Sequence, residues 1–391
     1  MRVIENGLVA YYYKQEIENQ SMETLAICNP IIRDIYPNNL YYNFILCGEN
    51  INIGLLDIEV KNEERLTEYA VSVQVNAFSC NYRDKAIMLE FNDRCNMLSK
   101  NSRYFYSLFG SDFVATVLNI GKKVKSLKIG DRVIPNNAYP YRNDGSYGGI
   151  ITNYASQRFQ IFNEDQLISI PNNLTDEIAA SFSVAAQTAY SMIRKANLQK
   201  GMNVLVTAGS SNTSLAIINA LQQYDVCIWV VSSDVEFTAK HPMGEKLILI
   251  PKQYLSKKQL KDFIGETLFD VIFDPFFDIH LSYLIPRINY NGKYITCGLY
   301  SQHSLYKEDN WVKSQNYMFS LSEAISRNVS IIGNCIGVTM DLQKAILDYT
   351  NGNFAIIIDS IHNHNSVNEF LRKSFHGIPR FGKVVYKYDN N

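Results

Sequence analysis

Hydrophobic residues follow two different patterns along this chain of 391 residues. From about residue 51 to residue 171, apolar and polar positions often alternate, as in YAVSVQVNAF at residues 69–78. A period of two is typical of half-buried β-strands. From about residue 175, apolar runs such as NVLVTA and FDVIFDP are separated by stretches with helical spacing. Apolar strands that alternate with helices indicate a parallel sheet covered on both faces.

The two patterns predict an α/β protein in which a doubly wound parallel sheet is inserted into a β-rich domain. The tail returns to the β-rich part, because VNEFLRKSF is predicted as a helix and GKVVY as a strand. We expect a β-rich domain at residues 51–174 plus 345–391 and a parallel-sheet domain at residues 175–344. Residues 1–50 form an N-terminal extension that we leave unassigned.

Composition and charge exclude several functions. Hydrophobic residues make up 47% of the chain and charged residues 19%, which is typical of a globular protein. A net charge of −1 without a basic run predicts no nucleic-acid partner and no attraction to anionic membranes. The seven cysteines form no CxxC pair, which argues against a disulfide framework and a cysteine zinc site. With no signal peptide and no long apolar run, we expect a cytoplasmic protein with no membrane partner.

Several stretches, taken in order, resemble the medium-chain dehydrogenase/reductase superfamily over roughly residues 51–391. They are VNAFSCNYRD, FGSDFVATVLNIGKKVKSLKIGDRV, AASFSVAAQTAYSMIRKANLQKGMNVLVTAG, DVIFDP, GKYITCG and GKVVY. The resemblance implies a GroES-like catalytic domain, closed by the C-terminus, with a Rossmann domain inserted. It also implies a nicotinamide cofactor.

The turn in VLVTAGSSNTSLAIINAL, at residues 204–221, is the expected cofactor loop. Related loops carry small residues, mostly glycines, where this chain has Ala208, Ser211 and Ser214. Small side chains let a backbone approach the pyrophosphate, and a helix start adds N–H donors. We therefore expect Ser211, Asn212 and Thr213 to bind the cofactor. The alternative is a Rossmann domain that no longer binds a nucleotide.

Ser232 and Ser233 stand at the tip of the second strand, where an acidic residue normally selects NAD. Small hydroxyl side chains leave room for a 2′-phosphate, so we expect NADPH, although Asp234 keeps NADH open. The resemblance also implies three further cofactor contacts, at Thr188, Gly298 and Lys383. Their alternatives are a helix-interior threonine, a strand-end glycine and a solvated lysine.

The zinc-dependent branch of the superfamily carries metal ligands where this chain has Asn81, Ser111 and Asp112, so we expect no metal. The six histidines lack HxxxH and HExxH spacing, and Cys80 is expected to be a small buried residue. Without a Lewis acid to polarise an alcohol or an isolated carbonyl, the sequence resembles the zinc-free quinone oxidoreductases and enoyl reductases. These enzymes reduce electron-poor C=C bonds.

The proton donor of that reaction is not evident. Enoyl reductases often carry a tyrosine where this chain has Phe91 and Asn92. Tyr82 is a substitute candidate, beside Asn81 and Arg83. The alternatives are core packing or nicotinamide stacking for Tyr82, an ion pair with Asp84 for Arg83, and a proton supplied by solvent.

We therefore predict an NADPH-dependent, zinc-independent C=C reductase acting on a small molecule or a modified peptide. The SNTSL turn and the uncommon N-terminal extension favour dehydroalanine reduction in a lanthipeptide. Reduction of a quinone, enone or enoyl thioester remains open, as does an inactive nucleotide-binding or structural protein. NVSIIGN, at residues 328–334, lies where an edge strand is expected, and an unpaired edge predicts a homodimer.

Overall fold

The computed structural model describes residues 4–5, 8–10, 21–59, 66–97, 104–255, 257–306, 315–376 and 379–389. These residues form two compact units. The first unit comprises Met1–Asn136, Ile150–Val184 and Ile358–Asn391, and the second comprises Asn137–Gly149 and Ala185–Ile357. In the part of the chain so described, no helix is long and apolar enough to cross a membrane.

The second unit is built on a six-stranded parallel sheet, as the apolar runs predicted. From one edge to the other, its strands are Leu247–Pro251, Cys227–Ser232, Asn203–Val206, Phe269–Asp274, Ile288–Thr296 and Ser330–Gly333. The chain runs outward in both directions from the pair Asn203–Val206 and Phe269–Asp274. In such sheets, ligands bind at the carboxyl ends of the strands at this switch point.

The two central strands are buried except at Asn203 and Asp270, as in a parallel sheet covered by helices on both faces. The helices of this part of the chain are Ser183–Ala196, Asn212–Leu221, Phe237–Lys240, Lys257–Ile264, Phe277–Leu284, Tyr317–Arg327 and Thr339–Thr350. One core cluster joins Leu205, Ile272 and Tyr294 of three neighbouring strands. The packed sheet fixes where each strand ends, and so where the loops at its carboxyl edge begin.

The first unit contains two mainly antiparallel sheets. The strands of the seven-stranded sheet are Leu167–Ser169, Arg132–Pro135, Asp112–Ile120, Ala70–Ser79, Lys383–Lys387 and Ile358–His362 in spatial order, with Phe159–Asn163 paired to Ala70–Ser79. The strands of the six-stranded sheet are Ile4–Glu5, Leu8–Ala10, Tyr104–Ser107, Ser21–Cys28, Glu49–Glu59 and Leu40–Leu46. The helices are Ile32–Ile35, Asp84–Met97, Asp176–Ala179 and Val367–Phe375.

Part of the N-terminal extension that we left unassigned belongs to the six-stranded sheet. Ser21–Cys28 and Leu40–Leu46 both pair with Glu49–Glu59, for example Leu25 with Leu55. The structure also divides the chain at Val184 and Ile357, later than the expected residues 174 and 344. The Val184 N–H donates to Asp112 Oδ1 at 3.0 Å, which ties this segment to the first unit. Residues 1–3, 6–7 and 11–20 of the extension lie outside the described residues.

Candidate cofactor site and polar cluster

The loop at residues 207–211 follows the central strand Asn203–Val206 and precedes the helix Asn212–Leu221. Ala208 adopts the left-handed conformation, with φ at +47°. At Gly209, an added Cβ would lie 2.5 Å from Val230 Cγ1, and the Gly209 N–H donates to the Val231 carbonyl at 2.8 Å. Glycine is therefore required at residue 209, where the loop backbone packs directly against the next strand. We assigned no role to this glycine from the sequence.

Two serines organise the start of the helix. Ser211 is the N-cap, and its hydroxyl oxygen accepts from the Ser214 N–H at 3.2 Å. Ser214 is fully buried, and its hydroxyl donates to the Thr207 carbonyl at 2.7 Å. The Ser211 hydroxyl donates to Ser214 Oγ at 2.9 Å, so its proton is used within the loop. Ser214 thus fastens the helix to the strand, whereas Ser211 shapes the helix terminus.

The fit of this helix start to a pyrophosphate depends on its N–H groups. The first N–H groups of a helix have no partner within the helix. Ser214 N–H is satisfied by the cap, which leaves those of Asn212 and Thr213 at the terminus. Asn212 Oδ1 is buried and has no hydrogen-bond partner among the described residues. A half-buried helix start with unused amide groups fits an anionic ligand.

The carboxyl end of the strand Cys227–Ser232 carries a cation as well as the two predicted serines, Ser232 and Ser233. Ser232 is buried, and its Oγ accepts from the Asp234 N–H at 3.0 Å and lies 3.1 Å from Ser210 Oγ. Ser233 is exposed. The Lys240 ammonium donates to the Asp234 carboxylate at 2.8 Å. The carboxylate that would favour NADH is therefore already paired, and Lys240 is a nearby cation that the sequence analysis did not single out.

Thr188 and Gly298 lie in different surroundings within the second unit. Thr188 is buried, on the helix Ser183–Ala196. Gly298 lines a cleft of about 780 Å³, together with Thr296 and Asn334 at the carboxyl ends of two strands. A Cβ at residue 298 would lie 2.8 Å from the Pro275 carbonyl, so a side chain does not fit there. The cleft therefore opens along the edge of the sheet where this fold binds ligands.

A buried polar cluster in the first unit joins Asn81, Ser111, Asp112 and Lys383. The Lys383 ammonium, on a residue only 1% exposed, donates to Asn81 Oδ1 at 2.8 Å, Asp112 Oδ2 at 3.0 Å and Ser79 Oγ at 3.2 Å. Asn81 Nδ2 donates to Asp112 Oδ2 at 2.9 Å and Ser111 Oγ at 3.0 Å. The Ser111 hydroxyl also donates to Asp84 Oδ2 at 2.6 Å, and Asp112 Oδ1 accepts from the Val184 N–H. The polar groups of the cluster are thus satisfied within the protein.

This cluster changes the interpretation of two predicted site residues. Lys383 directs its three N–H donors at protein oxygens, so the geometry favours an internal ion pair over the expected contact with the cofactor. Asn81 uses both amide hydrogens inside the cluster, which leaves none for a substrate oxygen. Nothing in the spacing of residues 81, 111, 112 and 383 announced the cluster, although a lysine within the apolar strand KVVYK was a signal.

Arg83 and Tyr82 lie in the turn before the helix Asp84–Met97. Arg83 Nη1 donates to Asp84 Oδ1 at 3.2 Å and to Asn153 Oδ1 at 2.9 Å. The alternative expected from the sequence, an ion pair of Arg83 with Asp84, is therefore present. Asp84 is fully buried, and burial raises its pKa against the opposing effect of Arg83. Tyr82 is half-buried beside this pair and stays a candidate proton donor.

Comparison with known proteins gives matches in both units. The family described as the alcohol dehydrogenase GroES-like domain matches residues 67–172. The acryloyl-coenzyme A reductase of Metallosphaera sedula is 23% identical over 253 residues, 61% of this chain and 71% of that protein. The 2-methylene-furan-3-one reductase of Solanum lycopersicum is 28% identical over 110 residues, 28% of this chain and 27% of that protein.

A squalestatin hexaketide synthase of Cochliobolus lunatus is 29% identical over 150 residues, 38% of this chain. The matched stretch is only 5% of the length of that synthase.

Solved structures match nearly the whole chain. An NAD-dependent alcohol dehydrogenase superposes with a TM-score of 0.70 at 16% identity, covering 94% of this chain and 99% of its own. The 2-octenoyl-CoA carboxylase reductase CinF, in complex with NADP and 2-octenoyl-CoA, has a TM-score of 0.70 at 18% identity, covering 94% and 88%. The GroES-like match and the doubly wound sheet occur together in this order along the chain. Residues 67–172 are therefore similar to the GroES-like domain of alcohol dehydrogenases, and the whole chain is similar in fold to the medium-chain dehydrogenases and reductases.

Zinc does not fit the polar cluster of Asn81, Ser111, Asp112 and Lys383. Asn81, Ser111 and Asp112 stand at the metal-ligand positions, and the Lys383 ammonium already binds the oxygens of two of them. Burial raises the pKa of the Cys80 thiol well above its usual range, which keeps the sulfur protonated and a poor ligand. Within the described residues, no three His, Cys, Asp or Glu side chains group as metal ligands would.

Proposed function

We propose that this protein is an NADPH-dependent reductase of C=C bonds conjugated to a carbonyl group. The observation that carries the proposal is the loop at residues 207–211, at the switch point of the parallel sheet. Its left-handed Ala208, close-packed Gly209 and capped helix start leave the amides of Asn212 and Thr213 for an anionic ligand. A crossover with no ligand would not need to hold a backbone of this shape.

NADPH, when bound, supplies a hydride. We assign the pyrophosphate to the start of the helix Asn212–Leu221, where the N–H groups and the helix dipole favour negative charge. We assign the 2′-phosphate to the strand tip, where exposed Ser233 and Lys240 would meet it. Because Asp234 is paired with Lys240, it is less able to accept from the ribose of NADH. CinF, a structural match, was solved with NADP.

The donor sets favour a double bond over an alcohol as the reacting group. Zinc-dependent alcohol oxidation needs a Lewis acid, and the Asn81–Asp112–Lys383 cluster offers an ammonium among its oxygens instead. Besides the hydride that NADPH would supply to the β-carbon, reduction of a conjugated double bond requires a held carbonyl oxygen and a proton for the α-carbon. Tyr82 is our candidate for the proton, and solvent is the alternative source.

For the substrate, we propose a terminal methylene beside a carbonyl, and dehydroalanine in a modified peptide as its specific form. The names of two relatives, an acryloyl-coenzyme A reductase and a 2-methylene-furan-3-one reductase, describe substrates with a CH₂=C–C=O unit. Dehydroalanine has the same unit. The SNTSL stretch at residues 211–215, which is the N-cap and first turn of the helix, is the second support. An internal enoyl thioester or a quinone is the other candidate, since CinF was solved with 2-octenoyl-CoA.

The test is NADPH oxidation, followed by absorbance, with four substrates. They are N-acetyl-dehydroalanine amide, acryloyl-CoA, crotonyl-CoA and a soluble benzoquinone. We expect turnover of the first two and little of the others. Turnover of crotonyl-CoA or the quinone alone would contradict the methylene class. Oxidation of NADPH with none of the four substrates would favour the inactive nucleotide-binding or structural protein.

We also propose a homodimer, formed through the outer strand Ser330–Gly333. This strand ends the parallel sheet, and Ile331 is 39% exposed on it. The neighbouring helix Tyr317–Arg327 exposes Leu321 and Ile325, at 51% and 80%. An open edge beside an apolar stripe is a liability for a monomer. Light scattering at micromolar concentration should give the mass of two chains, and a monomer would contradict the proposal.

The location that we propose is the cytoplasm. Cys28, Cys80 and Cys95 are free thiols that are buried in the first unit. Free buried thiols are common where the compartment is reducing. Fractionation of the producing cells would test this, and recovery with an extracellular or membrane fraction would contradict it.

A further inference from the structure

Asp274 is a buried carboxylate on the opposite side of the switch point from the loop at residues 207–211. It is the last residue of the strand Phe269–Asp274 and is fully buried. We propose that Asp274, acting through Thr207, is a positioning residue that holds this loop in the shape that receives the cofactor pyrophosphate. The inference rests on the NADPH binding proposed above.

Asp274 gathers donors from three different segments. Its Oδ1 accepts from the Thr207 hydroxyl at 2.6 Å and from the Phe276 N–H at 2.9 Å, and it lies 2.8 Å from His280 Nδ1. Its Oδ2 accepts from the Tyr294 hydroxyl. Three of these groups share Oδ1 and one meets Oδ2, and the side chain is fully buried. Asp274 therefore does not reach a ligand itself, and any effect on the cofactor passes through its partners.

Thr207 is the partner that reaches the loop. Its N–H donates to the Phe273 carbonyl at 3.0 Å, which extends the sheet by one residue. Its carbonyl accepts from the Ser214 hydroxyl at 2.7 Å, and its own hydroxyl donates to Asp274. Backbone and side chain are therefore fixed at three points, directly before the left-handed Ala208.

Ala208 explains why such an anchor is needed. Residues with a Cβ rarely adopt a positive φ, and they relax from it unless their neighbours prevent it. Gly209 is fixed to Val231 on the far side of Ala208, and Thr207 is fixed to Asp274 on the near side. Losing the Thr207 anchor should let the turn relax. The amides of Asn212 and Thr213 would then lose their common orientation.

The carboxylate is also held in its charged form. Burial raises the pKa of Asp274, but the charge of His280 and the hydrogen bonds from His280, Thr207 and Tyr294 outweigh burial and lower it below the usual range. A charged acceptor makes the bond from the Thr207 hydroxyl stronger than a bond between neutral groups. The network thus couples the loop to the rigid centre of the sheet.

The experiment compares Thr207→Val, which removes the hydroxyl, with Thr207→Ser, which keeps it. NADPH binding is followed by fluorescence titration. Adenosine 2′-monophosphate, which has no pyrophosphate, is titrated by calorimetry. We expect Thr207→Val to weaken NADPH binding about tenfold, equivalent to about 1.4 kcal/mol. Its affinity for adenosine 2′-monophosphate should stay within about twofold of wild type. Thr207→Ser should bind NADPH within about twofold of wild type.

Two further variants are controls for a loss of folding and for a general effect of the Asp274 hydrogen-bond network. Asp274→Asn keeps the shape and removes the charge, and we expect it to weaken NADPH at least as much as Thr207→Val. Tyr294→Phe removes a donor from Oδ2, away from the loop, and should lower the melting temperature while leaving NADPH affinity within about twofold.

The outcomes separate this inference from the proposed function. If wild type binds NADPH and Thr207→Val binds it equally well, the positioning role is wrong and cofactor binding stands. Equal weakening of NADPH and adenosine 2′-monophosphate would show a general structural effect and also overturn the inference. If wild type shows no saturable NADPH binding, both proposals fail together.

Discussion

Two buried aspartates, Asp112 in the first unit and Asp274 in the second, are stabilised in different ways. Asp112 is neutralised by one full cation, the Lys383 ammonium at 3.0 Å. Asp274 is held mainly by hydroxyl, backbone and imidazole donors, one of which belongs to a loop. An ion pair closed on itself contributes chiefly to the fold. A carboxylate whose donors come from a binding loop links the fold to the ligand.

The largest expected effect is on the first of these sites. Lys383→Met leaves Asp112 buried without its cation, and breaking one partner of a buried pair costs about 3–5 kcal/mol. Urea denaturation measures this as a lower free energy of unfolding. Lys387→Met is the matched control on the same strand, because its pair with Glu177 is partly exposed and contributes only about 0–1 kcal/mol. Similar losses of unfolding free energy for Lys383→Met and Lys387→Met would contradict the view that the buried Asp112–Lys383 pair contributes more to the fold than an exposed pair.

At the second site, the expected loss is in binding. Ser211→Arg places a long side chain at the helix start and disturbs the cap, so NADPH affinity should fall by about 2–4 kcal/mol. The melting temperature should change little, because Ser211 is only half-buried. Gln199→Arg, at an exposed position of the same unit, is the control for added charge. Wild-type affinity in Ser211→Arg would mean that the loop is only a crossover.

Cofactor preference tests the strand tip beside this loop. NADPH should bind at least about tenfold more tightly than NADH, since a charged contact to phosphate contributes about 1.5–3 kcal/mol. Lys240→Ala should reduce the preference, because it weakens NADPH binding and releases the Asp234 carboxylate for the ribose of NADH. The measurement is a pair of fluorescence titrations. Equal affinities in wild type, or a preference for NADH, would instead assign the tip to Asp234.

A smaller effect is expected at Ser214. From the sequence, Ser214→Gly should be tolerated, because related loops carry glycine there. The structure adds a cost, since the variant loses the hydrogen bond from its hydroxyl to the Thr207 carbonyl. We expect the free energy of unfolding to fall by about 1 kcal/mol while NADPH still binds. A loss above about 3 kcal/mol would mean that Ser214 contributes more than this one bond.

Metal removal should have no effect at all. Asn81 donates to Ser111 and Asp112, and the Lys383 ammonium donates to Asn81 and Asp112, so we expect no stoichiometric zinc in the purified protein. Dialysis against EDTA should leave NADPH affinity and stability unchanged. Metal analysis that finds about one zinc per chain would show that the cluster has been misinterpreted.

The two aspartate sites differ in how far the sequence predicted them. The loop at residues 207–211 was predictable because strand, turn and helix are consecutive, and the parallel sheet followed from apolar runs. Asp274 and Thr207 are 67 positions apart, and Asp112 and Lys383 are 271 apart, so only the folded sheets bring them together. No pattern within a short stretch of the sequence predicts pairs such as Asp274 with Thr207 or Asp112 with Lys383.

The N-terminal strands were missed for another reason. Leu40–Leu46 (LYYNFIL) is an outer strand with mixed exposure. Because its tyrosines are only partly buried, the sequence does not show the clear alternation of apolar and polar residues by which a strand is recognised. Its pairing with Glu49–Glu59 is set by long antiparallel register. The role of Gly209 was likewise hidden, because its need for close approach depends on Val230 in the neighbouring strand.

The most direct test of the central claim is a fluorescence titration of the wild-type protein with NADPH. The claim is that the loop at residues 207–211 is a working cofactor site. We predict saturable binding of about one NADPH per chain, weakened by added NADP⁺. A titration that shows no saturation at protein concentrations up to about 100 µM would contradict the claim, because it would mean an affinity weaker than that of nearly all specific cofactor sites.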